Sequence, residues 1–134
     1  MALITLEGLK KWLDAYGAAW EAGDSQAVIE LFADDAEYYE TPFDAPMVGK
    51  DAIHQYWSEG AGESQKDVHF SYEAIDIVES TGLAQWRATF IRVPSGIHVE
   101  LDGFLLAEFD SAGNCSLFRE WWHRRESKGG SSSK

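Results

Sequence analysis

With 134 residues, the chain is long enough for one domain around one hydrophobic core. Its formal net charge of −12 argues against nucleic acid or anionic lipid as partners, since both recruit cationic surfaces. A hydrophobic fraction of 45%, with six Trp, five Tyr and seven Phe, excludes a disordered chain, and charges interrupt every run before the ~18 residues a membrane span needs. In chain order, Leu6, Leu9, Leu13, Tyr16 and Trp20 recur at helical spacing and predict an amphipathic helix stopped by Gly23. Asp24 or Ser25 can cap a short second helix with Val28, Leu31 and Phe32 on its apolar side. Glu37 to Thr41 reads as extended, and Pro42 to Gly49 as a constrained loop. A third helix is predicted over about Lys50–Glu59, burying Ile53, Tyr56 and Trp57.

Beyond Gly60-Ala61-Gly62 the period changes to two. Val68, Phe70 and Tyr72 mark one strand; Leu83–Val93, Ile97–Phe109 and Cys115 to about Arg125 mark three more, separated by turns. Consecutive hairpins predict an antiparallel meander, and helices followed by such a sheet predict an α+β fold. The domain is placed at residues 1–126, with the polar residues 127–134 as a flexible tail. Both strand parities carry apolar groups: Val99, Leu101, Leu105 and Ala107 against Phe104 and Leu106, and Phe118 and Trp122 against Leu117 and Trp121. A sheet half open to water shows one apolar face. The expectation is that one face covers helices and a pocket and the other a second copy, giving a homodimer. Residues 1–67 carry a net −10 and residues 68–134 a net −2, which reads as a solvated helical surface in the first half. Cys115 has no internal disulfide partner, and the first residues lack the basic start of a secretory signal, so a cytoplasmic location is expected.

Three runs, Tyr16-Gly17-Ala18-Ala19-Trp20-Glu21-Ala22-Gly23-Asp24, Leu31-Phe32-Ala33-Asp34-Asp35-Ala36-Glu37-Tyr38-Tyr39-Glu40 and Gly49-Lys50-Asp51-Ala52-Ile53, open the chain in a recognisable order. With Phe109-Asp110-Ser111-Ala112-Gly113-Asn114 and Arg119-Glu120-Trp121-Trp122, the chain resembles the SnoaL-like branch of the NTF2-like superfamily, which includes ketosteroid isomerases and polyketide cyclases. The resemblance implies a cone: three N-terminal helices packed in a curled antiparallel sheet, a deep pocket between them, and often a dimer across the outer face. It does not select a reaction, because members include isomerases, cyclases, epoxide hydrolases, dehydratases and proteins without known chemistry. Matched residue by residue, Tyr16 falls where the isomerases have an oxyanion-hole tyrosine and Glu40 where they have the carboxylate that moves the proton. The isomerases' third element, a protonated acid, falls at Leu105. The nearest acid on that strand, Asp102, has the opposite parity and turns inward only if Gly103 forms a bulge.

Each candidate has a physical rationale. A carboxylate at Glu40 in an apolar pocket is desolvated and becomes a general acid or base. A preorganised Tyr16 hydroxyl stabilises a developing oxyanion by about 3 kcal/mol. Trp20, Tyr38, Phe43, Met47, Trp57, Trp86 and Trp122 are the expected ligand-binding wall for a flat hydrophobic small molecule. His98, Glu100 and Asp102 alternate on one strand at ~7 Å steps, too far apart to share an ion, so they read as a polar stripe and no metal is expected. His54 and His69 read as surface or edge residues, His123 as a solvated strand end, and Cys115 as an unactivated thiol. No phosphate loop or dinucleotide fingerprint occurs, so no cofactor is expected. Two functions remain open: a small-molecule acid–base enzyme, and a non-catalytic dimeric module binding a ligand or protein.

Overall fold

A computed structural model describes residues 4–128. The first helix, α1 (Leu6–Ala22), starts where the Thr5 hydroxyl accepts from the Gly8 N–H at 2.9 Å and ends at Gly23 in the left-handed conformation, φ 66°. Leu9, Leu13, Tyr16 and Trp20 form its buried stripe, joined by Trp12, while Leu6 at the first turn is exposed. The second helix, α2 (Ser25–Ile29), is capped by the Asp24 carboxylate, which accepts from the Ala27 N–H at 3.1 Å. It is shorter than expected. Phe32 leaves it to open β1 (Phe32–Tyr39), because its ring is fully buried edge-on against Trp12 and its backbone position pairs with Cys115.

The short β2 (Met47–Val48) pairs antiparallel with β1. Helix α3 (Lys50–Trp57) follows and continues as a π-helical turn over Ser58–Gly62. Four long strands complete the chain: β3 (Gln65–Val78), β4 (Thr81–Arg92), β5 (Ile97–Phe109) and β6 (Cys115–Lys128). They form the expected antiparallel meander within one curled six-stranded sheet of order β2-β1-β6-β5-β4-β3. Two corrections follow. The sheet is not wholly antiparallel, since β1 runs parallel to β6, and the first two strands precede α3. The last strand also reaches further than Arg125: Ser127 and Lys128, expected in the tail, pair with His98 and Ile97, and the rest of that tail lies outside the described residues. No helix among the described residues is long and apolar enough to cross a membrane.

The core lies between α1 and the inner face of the sheet. Trp86, Phe90, Val99, Leu105 and Phe118 project there with α1's Trp12, Tyr16 and Trp20. Phe118 stacks on Tyr38 at 4.7 Å between ring centroids and on Tyr16 at 5.5 Å, and pairs of this kind add about 0.5–1.5 kcal/mol each beyond area burial. Gly17 permits the close approach of α1 to β3: a Cβ there would lie 2.5 Å from Phe70 Cδ2. The outer face mixes charge with apolar groups. Phe104 and Leu106 are half-buried there, Trp121 is exposed, and His98, Glu100 and Asp102 lie on the same side.

Candidate functional site

A cavity of about 290 Å³ remains inside the cone. Alternation on β6 turns Phe118, Glu120, Trp122 and Arg124 inward in succession, and α1 and β1 bring Tyr16 and Tyr38 against them. Glu120 is 6% exposed and is the one charged residue among the described residues to be buried. The Tyr38 hydroxyl donates to Glu120 Oε2 at 3.3 Å, and the Tyr16 hydroxyl lies 3.2 Å from that of Tyr38. Since Tyr38 has one proton and gives it to Glu120, Tyr16 donates to Tyr38 in this arrangement. Glu40, just past the end of β1, is half-buried on the cavity wall. Its Oε2 accepts from the Tyr56 hydroxyl at 3.0 Å, and its backbone carbonyl accepts from Trp122 Nε1 at 3.2 Å.

The two carboxylates have unlike surroundings. Burial pushes the Glu120 carboxyl well above the usual carboxylate range, the Glu40 charge pushes it further, and the Tyr38 hydrogen bond opposes both. Burial, followed by the charge of Glu120, raises the hydroxyls of Tyr16, Tyr38 and Tyr56, so all three are neutral donors. The indoles differ as well. Trp20 Nε1 donates to Gln65 Oε1 at 2.8 Å, whereas Trp57 and Trp86, both on the cavity wall, have buried N–H groups without a partner among the described residues. Each such donor costs about 1–3 kcal/mol until something accepts from it.

Of the residues singled out from sequence, Tyr16, Glu40, Trp20, Tyr38, Trp57, Trp86 and Trp122 surround this cavity. Three do not. Asp102 is on the outer face, where its carboxylate accepts from Arg87 Nε at 2.9 Å and Gln85 Nε2 at 3.2 Å. The β5–β6 register runs unbroken through Asp102, Gly103 and Phe104, so no bulge turns it inward. Gly103 instead permits close packing at the cavity floor: a Cβ there would run into the Trp121 backbone carbonyl oxygen and lie 2.9 Å from both Trp86 Cε2 and Trp122 Cβ. Phe43 is 94% exposed, carried away from the inner face by the loop after Glu40, where Thr41 Oγ1 donates to Asp44 Oδ2 at 3.2 Å. Met47 pairs with Tyr38 across β1 and β2 and packs on the core without facing the cavity.

The remaining candidates have structural surroundings. Glu100 pairs with Arg125 on the outer face, and His69 and His123 are exposed. His54 is not a surface residue: it is half-buried, with Nε2 at 3.2 Å from the Ser25 hydroxyl. Cys115 is buried, its thiol donating to the Leu117 carbonyl, and burial raises its pKa away from thiolate chemistry. Glu120 is the residue that sequence reasoning missed. Its signal was parity, because Phe118 and Trp122 on either side of it were already assigned to one face.

The profile of the SnoaL-like domain family matches residues 13–115. No curated protein matches the chain. Among solved structures, the chain is similar to SalBIII, described as an epoxide hydrolase/cyclase-like enzyme with a role in pyran ring formation in the polyether salinomycin. The TM-score is 0.74 at 15% identity, covering 85% of this chain and 89% of that one, a likeness of fold. The opening runs quoted from the sequence, the curled sheet closed over α1 and the matched span agree: the chain belongs to the SnoaL-like domain family of the NTF2-like superfamily.

Proposed function

We propose that this protein is an acid–base enzyme of the isomerase, cyclase or dehydratase type, acting on a small hydrophobic compound at a carbonyl or related oxygen electrophile. One observation carries the reading. Two carboxyl groups meet at one aromatic cavity, Glu120 sealed among tyrosines and Glu40 half-buried beside Tyr56, and unlike environments of this kind separate an acid from a base. Glu40 removes a proton from the carbon next to the carbonyl, and the electron pair moves into the oxygen. With a proton on Glu120, the hydrogen-bond chain reverses: Glu120 donates to Tyr38, Tyr38 to Tyr16, and the Tyr16 proton is free for that oxygen. Glu40 then returns its proton at a second carbon, which leaves the enzyme unchanged. A hydroxyl or epoxide oxygen in place of the carbonyl draws on the same donor chain.

The test is deuterium exchange from D₂O into cyclic ketones and enones, followed by NMR, with epoxides assayed in parallel for ring opening. Glu40→Gln is expected to fold normally and to lower turnover by about a hundredfold or more. Unchanged turnover in that variant refutes the role of Glu40. Apolar ligand binding that is indifferent to Glu40→Gln, with no turnover of any compound, supports the non-catalytic module instead.

The outer face supports a homodimer in the same reading. Phe43, Ile75 and Trp121 are exposed there around a groove of about 760 Å³, an apolar patch that a second copy would cover. Light scattering on the intact chain and on Trp121→Glu tests it: a dimer that becomes a monomer is expected, and a monomeric parent chain overturns it.

A further inference from the structure

The inward parity of two strands runs past the aromatic lining and ends in positive charge. On β4, Trp86, Ala88 and Phe90 are followed inward by Arg92; on β6, Phe118, Glu120 and Trp122 are followed by Arg124. Both arginines line the cavity. Among the described residues they share one acidic partner, Glu126, whose Oε2 lies 3.4 Å from Arg92 Nη2 and 3.3 Å from Arg124 Nε. One carboxylate between two guanidinium groups leaves these three side chains with one positive charge unbalanced, in a chain whose net charge is −12. Burial is partial, with the Arg92 and Arg124 side chains 35% and 49% exposed, which places them at a mouth rather than in the core.

We propose that the cavity takes an amphipathic carboxylate, its anionic group held by Arg92 and Arg124 and its flat apolar body among Trp20, Trp57, Trp86 and Trp122. This deepens the reading of the cavity as the substrate site by naming the substrate class. Glu120 and Arg124 are four positions apart on β6, about 13 Å along the strand, so an anion at the mouth leaves the far end of a two-ring body beside the carboxyl pair. A guanidinium pair recognises a carboxylate by charge-assisted, planar hydrogen bonds that an ester or amine cannot reproduce.

Calorimetry with 2-naphthylacetate, its methyl ester and 2-naphthylethylamine tests the assignment. The acid is expected to bind at least about tenfold more tightly than either neutral or cationic analogue, with a preference that shrinks as salt rises. The double substitution of Arg92→Gln and Arg124→Gln abolishes the preference, whereas the Lys pair, which preserves charge and fold, retains part of it. Glu126→Gln releases both arginines and strengthens acid binding, a gain that a purely structural role does not produce. Equal binding of acid and ester, a preference that survives the double Gln variant, or no binding of any probe overturns the proposal. Failure of the catalytic reading is separate: anion preference with turnover that ignores Glu40→Gln leaves the mouth site standing and removes the base. Turnover that needs Glu40 without anion preference does the reverse.

Discussion

Glu120→Gln keeps the shape of a buried side chain and removes its ability to ionise. Burial and the neighbouring Glu40 hold the Glu120 carboxyl well above the usual range, whereas in the unfolded chain it titrates at ~4.3. Between those two values the folded protein retains a proton that the unfolded chain has lost. Unfolding free energy therefore falls as pH rises, by about 1.4 kcal/mol per pH unit for this single site. Below the unfolded value both states are protonated, and wild type and variant differ only in their contact with Tyr38, by about 1 kcal/mol at most. Above it, Glu120→Gln gains on the wild type at that slope until the folded pKa is passed, where the difference levels. Urea unfolding followed by tryptophan fluorescence, from about pH 4 to about pH 8, measures both proteins, and subtraction cancels the carboxylates that do not interact with Glu120. In a Glu40→Gln background the second cause of the shift is gone, so the sloping region ends at lower pH. A flat difference, or a variant that loses ground as pH rises, would mean that Glu120 is ionised in the fold, and the acid–base assignment would fail with it.

Tyr38→Phe removes the hydroxyl that joins Tyr16 to Glu120 and is expected to cost about 1–3 kcal/mol by urea unfolding, because both groups lose a buried partner. Asp102→Asn weakens only exposed outer-face contacts, the ion pair with Arg87 and the hydrogen bond from Gln85, so stability should change by less than about 1 kcal/mol and proton exchange should be unaffected. Gly103→Ala drives a methyl group into the Trp121 backbone carbonyl oxygen and to 2.9 Å from Trp86 Cε2 and Trp122 Cβ, so the β5–β6 ladder must shift; it should cost about 1–3 kcal/mol, with a changed near-ultraviolet dichroism as Trp86 and Trp122 move.

Much of the fold was legible because its signals are local. A turn and an alternating run predict a hairpin from neighbouring residues alone, and β5 falls at Ile97–Phe109 as the alternation implies. The pairing of β1 with β6 has no such signal. It joins Tyr38 to Phe118 and Tyr39 to Arg119 across the length of the domain, and nothing near Phe32 marks it as a strand. Locally, Val28, Leu31 and Phe32 suit a helix face. Burial of the Phe32 ring against Trp12, Tyr38 and Phe118 decides otherwise, a tertiary preference that overrides local propensity. The loop after Glu40 shows the same limit: Phe43 is aromatic and close to a site residue in sequence, yet its direction depends on where β1 stops.

The carboxyl pair carries a further lesson about reading a site by position. Resemblance asks for an acid at Leu105, and the eye goes along β5 to Asp102, which the unbroken register holds on the outer face. A cavity is indifferent to which strand supplies a group. Leu105 pairs across the ladder with Glu120, and directly opposed residues have Cβ atoms only about 4.5–5.5 Å apart. A carboxyl on β6 therefore reaches much the same volume as one on β5 would, with the aliphatic Leu105 beside it to deepen its desolvation. The neighbours agree with that exchange: Tyr38 is there to donate to Glu120, and Gly103 clears the floor for Trp86. Cross-strand partners of an expected catalytic position are thus the first place to look when that position holds an apolar residue.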